Sequence, residues 1–329
     1  MLLRADGAGY AVLVVGWIGC LWMSQLMGVE IYGHRGMAGL LPENTVVGYE
    51  AALELGVDAI DVDVGVTRDK IVVASHDPFL NPALTRDQYG RWIQNPQDYQ
   101  ISKLLFADLK AFDVGRLNPH DSYRLAYPDQ QGLDHIEIPS LQSILALLKK
   151  PHNARVKVQI EMKTSPVDRA HTQPLEVFVK SIIDCLNEQG MLHRAELQSF
   201  DWEALLLAKR MAPEIKTSFI TEQVPGGFDT FAPLDQMDQK QLNWAGGHQL
   251  SESGGSIPKL IRQLKGQTWC PFYKNLNAAL VREAHDQGLR VVPWTVDHRT
   301  DIVQMIEMGV DGVITNRPDI LKQMLMVRQ

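Results

Sequence analysis

The sequence predicts a single α/β domain, a TIM-type (β/α)8 barrel with a small insertion after its third strand. Three observations lead there. Beyond Glu30, short β-branched runs alternate with stretches of helical period, the order of parallel βα units. The length of 329 residues holds the roughly 250 that a complete barrel needs. Histidines and carboxylates recur at the C-terminal ends of successive strand candidates, the end where barrel enzymes do their chemistry.

Residues 1–29 stand apart. From Gly7 to Val29 there is no charged side chain, and at about 1.5 Å per residue that stretch matches a bilayer core of roughly 30 Å. Three readings stay open: an uncleaved membrane anchor, a cleaved secretory signal, or a leader upstream of a true start at Met27. The first two place the barrel outside the cytoplasm, membrane-anchored or periplasmic. The third leaves it cytoplasmic.

Residues 30–329 form the barrel. Ile31–Gly33, Ala59–Val64, Ile71–Ser75, Val156–Met162, Ala195–Phe200, Thr217–Ile220, Thr268–Tyr273, Val291–Val296 and Gly312–Thr315 read as strands, one more than eight places require. The gap between Val64 and Ile71 is too short for a helical crossover, so regular alternation fails there. Leu141, Ile144, Leu145 and Leu148 have helical spacing, and Leu276–Gln287 reads as a helix closed by Gly288. Residues 78–139 are polar and rich in Pro, Asn, Asp and Tyr, the texture of a lid or subdomain inserted in the barrel.

Composition narrows the function. A net charge of -7 opposes wholesale nucleic-acid binding, so any phosphate must be held locally. Cys20, Cys185 and Cys270 have neither zinc-ligand nor disulfide-framework spacing.

The strand ends carry the chemistry. His34 and Arg35 sit between Gly33 and Gly36, which let the backbone turn sharply. Asp61 and Asp63, two apart on a strand, share one face, where like charges are costly unless a cation lies between them. His76 follows the third strand, and Glu161 and Lys163 close the fourth. Asp61, Asp63 and Glu161 are hard oxygen ligands suited to Mg2+ or Ca2+. The histidines suit general acid and base work, and Arg35 and Lys163 suit a phosphate. Phosphodiester cleavage is the reaction that uses the whole set.

These residues fall into recognisable motifs: His34-Arg35-Gly36, Pro42-Glu43-Asn44-Thr45, Asp61-x-Asp63, His76-Asp77, Ile160-Glu161-Met162-Lys163, Gln198-Ser199-Phe200-Asp201, Val292-Pro293-Trp294-Thr295-Val296-Asp297 and Gly309 to Asn316. Together they closely resemble the glycerophosphodiester phosphodiesterase family, over about Ile31 to Ile320. The resemblance implies a TIM-type barrel that hydrolyses glycerophosphodiesters to glycerol 3-phosphate and an alcohol, with a divalent cation. It implies attack by the substrate's own glycerol hydroxyl, then opening of a cyclic intermediate by water. His34 and His76 would exchange protons, Arg35 and Lys163 would bind phosphate, and Trp294 would wall the glycerol pocket. Asp61, Asp63 and Glu161 would bind metal, with Glu43 and Asn44 in support.

Two positions depart from the family pattern. Asp61 stands where Glu is typical, which predicts a deeper or weaker metal. Asn316 stands where the last strand typically ends in Thr-Asp, which predicts a missing outer charge. Two rival readings remain: a phospholipase D-like or C-like barrel that stops at a cyclic phosphate, and a catalytically silent barrel serving as a binding module.

Overall fold

The computed structural model describes residues 28–223, 230–231 and 244–327; the uncharged N-terminal stretch lies outside them up to Met27. Nine strands form along the described chain: β1 (Glu30–His34), β2 (Ala59–Val66), β3 (Val72–Ala74), β4 (Lys157–Met162), β5 (Ala195–Ser199), β6 (Lys216–Thr221), β7 (Thr268–Pro271), β8 (Arg290–Val291) and β9 (Gly312–Thr315). All but β3 pair in parallel, in the spatial order β8-β7-β6-β5-β4-β2-β1-β9. The circle closes between β9 and the chain after β8. Asp311 N–H donates to Val291 O at 2.9 Å and Ile314 N–H to Pro293 O at 3.0 Å, while Val296 N–H donates to Ile314 O at 3.0 Å. Pro293 has no N–H to give, so the eighth strand is a shorter ladder than the apolar run Val291–Val296 predicts.

The surplus strand is the third. β3 is antiparallel to β2, with Val66 opposite Val72 and Val64 opposite Ala74. It lies off the barrel path and forms a hairpin with the upper end of β2. The turn is tight: Lys70 takes the left-handed φ of 65°, and Thr67 N–H donates to Ile71 O at 3.0 Å. His76 therefore does not cap a barrel strand, as the sequence reading held. β2 rises past the mouth and β3 brings the chain back down to its rim.

Helices cover the outside. They are α1 (Val46–Leu55), α2 (Phe106–Leu109), α3 (Leu141–Leu148), α4 (Leu175–Glu188), α5 (Trp202–Met211), α6 (Ile257–Gln263), α7 (Ala278–Asp286), α8 (Arg299–Met308) and α9 (Pro318–Val327). All but the short α2, which belongs to the segment before α3, lie among the barrel strands. The helical spacing from Leu141 is α3, which buries Leu141, Ile144, Leu145 and Leu148. Alternation along β2 divides its residues by face. Ile60, Val62 and Val64 join the large apolar layer with Ile144, Leu148, Phe178 and Leu186 of the helices. Asp61 and Asp63, both buried, take the opposite face, inside the barrel. Between β3 and α3, residues 75–140 enclose a small core of their own around Leu80, Ile93, Ile101, Leu109 and Ile138. That core is why so polar a segment holds a fixed shape.

Candidate active site

The loop after β1 is built by backbone constraints. Arg35 and Asn44 both take left-handed φ, 50° and 55°, conformations costing about 1–3 kcal/mol each in a non-glycine residue. Gly36 cannot be replaced without movement, since its φ is 91° and a Cβ there would stand 2.7 Å from the backbone of Gly48 on α1. Asn44 clips this loop to β2. Its amide Nδ2 donates to Asp63 Oδ2 at 3.1 Å, and its Oδ1 accepts from Tyr49 at 2.7 Å. Thr45 then caps α1, accepting from Gly48 N–H at 3.2 Å.

Arg35 is buried and held on three sides. Its Nη1 donates to Glu43 Oε1 at 2.8 Å and to the Tyr123 hydroxyl at 3.1 Å. Its Nε stands 2.8 Å from Asp63 Oδ2, off the N–H axis, so that contact is Coulombic and not a hydrogen bond. Among the described residues no hydrogen bond uses Nη2, which leaves that nitrogen to a ligand. Tyr123, from the inserted segment, also donates to Glu43 Oε2 at 2.6 Å.

His34 is fixed by a relay that closes the barrel. Asp297 accepts from Asn316 N–H and from Asn316 Nδ2, each at 2.8 Å. A carboxylate can only accept, so the Asn316 amide must turn its oxygen toward His34, and that oxygen lies 2.7 Å from Nδ1. Nδ1 therefore carries the proton and Nε2 the lone pair, 4.0 Å from Asp61 Oδ2. Burial and the adjacent Arg35 charge push this imidazole down to about 3, which keeps it neutral at ordinary pH.

His76 has a different setting. It is 37% exposed at the side chain, and its Nδ1 lies 2.8 Å from Asp77 Oδ1. Although burial works the other way, hydrogen bonds from His76 and Asn81 hold the Asp77 carboxyl below its ordinary value.

The carboxylates line the barrel between these two rings. Asp63 sits opposite Glu161 on β4, and Asp61 opposite Gln159. Gln198 donates to Asp61, and Lys163 to Glu161 at 2.7 Å. Burial, then the charges of Asp63 and Glu161, push Asp61 well above the usual carboxylate range. Burial also raises Glu161, with Lys163 opposing. Asp63 is lowered in spite of its burial, because Arg35 and Lys163 stand beside it. Among the described residues, no three His, Cys, Asp or Glu side chains already stand as a metal cage.

Trp294 stands at the rim between Phe200 and Phe272, with ring centroids 5.3 and 5.4 Å away, and its indole N–H donates to Cys270 O at 3.0 Å. Beside it a cleft of roughly 330 Å3 opens over His76, Glu161, Lys163 and Phe200. All ten residues singled out from the sequence thus belong to one mouth. Sequence reasoning missed Tyr123 and Asp297, and it read Asn316 only as a departure. A tyrosine in an aperiodic insertion carries no signal, whereas Asp297 and Asn316 each end a recognised motif.

The glycerophosphoryl diester phosphodiesterase family matches residues 34–320, from His34 itself to the last helix. The chain belongs to this family. A candidate glycerophosphoryl diester phosphodiesterase of Silicibacter pomeroyi is 32% identical and superposes with a TM-score of 0.78, over 93% of this chain and 98% of that one. The glycerophosphodiester phosphodiesterase of Caldanaerobacter subterraneus is 24% identical over 88% of this chain and 95% of its own length. One from Bacillus subtilis is 26% identical over 87% and 83%. An Oleispira antarctica phosphodiesterase, solved with the product sn-glycerol-3-phosphate, shares the fold with a TM-score of 0.63 at 18% identity, over 92% of this chain and 98% of that one. Against the family pattern, Asn316 does not leave the relay without charge, since Asp297 supplies it from behind.

Proposed function

We propose that this family member hydrolyses glycerophosphodiesters to glycerol 3-phosphate and an alcohol, with His34 as general base and His76 as general acid. The observation that carries the reading is the contrast between the two rings. His34 is buried, neutral and backed by an amide, with Nε2 unprotonated. His76 is half-exposed, within reach of a leaving group at the mouth, and its Nδ1 faces the Asp77 carboxylate. His34 Nε2 would take the proton of the glycerol hydroxyl that attacks phosphorus, and His76 Nε2 would deliver one to the departing oxygen. Arg35 Nη2 and Lys163 would hold the phosphate oxygens. Water would then open the cyclic intermediate, with the two proton transfers reversed. Trp294, with Phe200 and Phe272 against it, would present an apolar wall to the glycerol carbons.

The donor set fits a divalent cation. Four carboxylates, Asp61, Asp63, Glu161 and Glu43, face two fixed cations, Arg35 and Lys163, and an incoming phosphodiester adds another negative charge. Asp63 Oδ1 is buried and has no hydrogen-bond donor among the described residues, and unpaired charge in such a place is costly. Asp61, Asp63 and Glu161 would hold Mg2+ or Ca2+, which supplies charge neutralisation at the phosphate.

The test is a coupled assay for released glycerol 3-phosphate over a panel of head groups, with and without EDTA. Metal-dependent release supports the reading. Accumulation of a cyclic phosphate would point to the phospholipase-like alternative, and undiminished turnover after exhaustive chelation would remove the cation from the account.

A further inference from the structure

The opposite end of the barrel carries charge that the reaction does not use. Beneath the N-terminal ends of β4 to β8 lies a cavity of roughly 280 Å3 whose lining includes Lys157, Arg194, Lys216, Arg262, Arg290 and a single carboxylate, Glu196. Some of these cations have structural employment. Arg194 donates to the carbonyls of Leu148, Asn153 and Val156. Lys157 and Arg290 pair with Glu30, and Glu196 accepts from Thr268 at 2.6 Å.

Lys216 and Arg262 have no such explanation. Both are exposed, and neither makes a side-chain hydrogen bond or ion pair among the described residues. Around them the same end exposes Arg155, Arg210 and Lys265, again without partners there. The acidic groups of this sector are Glu30, already paired with Lys157 and Arg290, and Glu188, Glu196, Glu214 and Asp286. Asp58 and Asp311 lie under β2 and β9, and Asp311 is bridged to His285 at 2.9 Å. A chain of net charge -7 therefore turns a basic sector outward at one end.

The sequence adds where this sector sits. The stretch Gly7–Val29, free of charge, joins the barrel at Glu30, the residue that pairs with Lys157 and Arg290 in the wall of this cavity. The end of the barrel at which Glu30 enters is thus the basic end, and the mouth with His34 and His76 is the opposite one. We propose that the basic sector under β4 to β7 is a docking surface for an anionic phospholipid layer. Lys216 and Arg262 would meet the head-group phosphates, and the mouth would be left open to water-soluble diesters. The attraction is electrostatic, so it fades at high salt.

The experiment is hydrogen exchange on the full-length chain with nanodiscs of phosphatidylcholine alone or with about a third phosphatidylglycerol. Peptides covering residues 209–217 and 262–268 should exchange severalfold more slowly on the anionic discs only. About 0.5 M salt should abolish that protection, as should the double variant Lys216→Glu, Arg262→Glu, whose hydrolysis of a soluble diester should stay unchanged. Equal exchange on both discs, or full protection in a variant that remains active, would overturn the proposal. So would the same protection produced by inorganic phosphate or by single-stranded RNA without discs, since the surface would then serve another ligand.

Discussion

The two histidines stand at one barrel mouth but on unlike foundations. His34 ends a strand of the closed barrel and is tied through Asn316 to Asp297, on the other side of the closure. His76 arrives on an antiparallel hairpin strand and leans on Asp77, its neighbour in sequence. One ring is buried against a neutral amide oxygen beside Arg35, the other half-exposed against a carboxylate. In the proposed reaction, this difference in partner and burial is what would let one residue type serve as both base and acid in a single site.

The largest effect that can break this contrast is loss of either ring. His34→Ala and His76→Ala should each lower turnover by roughly a hundredfold or more, the scale of general acid–base catalysis. Steady-state rates on glycerophosphocholine check this, and a variant within a few-fold of the parent would remove that ring from the chemistry.

Asn316→Asp sharpens the comparison by making the two foundations alike. A carboxylate on Nδ1 favours the protonated ring, and His34 must be unprotonated to act as a base. The acid limb of the kcat/KM profile should then move to higher pH, by about a unit. An unmoved limb would mean that the amide does not set the state of His34.

Tyr123→Phe is the mildest probe. It removes the hydroxyl that the inserted segment lends to Glu43 and Arg35, and should raise KM about threefold with kcat nearly unchanged. A larger loss in kcat than in KM would give Tyr123 a part in the proton transfers.

Much of this was legible in the sequence, for physical reasons. β-branched runs mark buried parallel strands, and the period of two alone puts Asp61 and Asp63 on one face. The direction of β3 was not legible: the six residues between Val64 and Ile71 exclude a helix, but only the left-handed turn at Lys70 and the pairing of Val66 with Val72 show that the chain doubles back. The His34 relay was hidden because Asn316 lies 282 residues away from it, and only closure of the barrel brings them together. Tyr123 was hidden because the insertion folds around its own small core, which gives no periodic pattern to read.

The division of labour between the rings is tested most directly by changing the leaving group. A glycerophosphodiester of p-nitrophenol needs little protonation of its departing oxygen, whereas removal of the attacking proton is as necessary as before. The account predicts that this substrate restores much of the activity lost in His76→Ala and little of that lost in His34→Ala. Equal rescue of both variants, or rescue of His34→Ala alone, would contradict it.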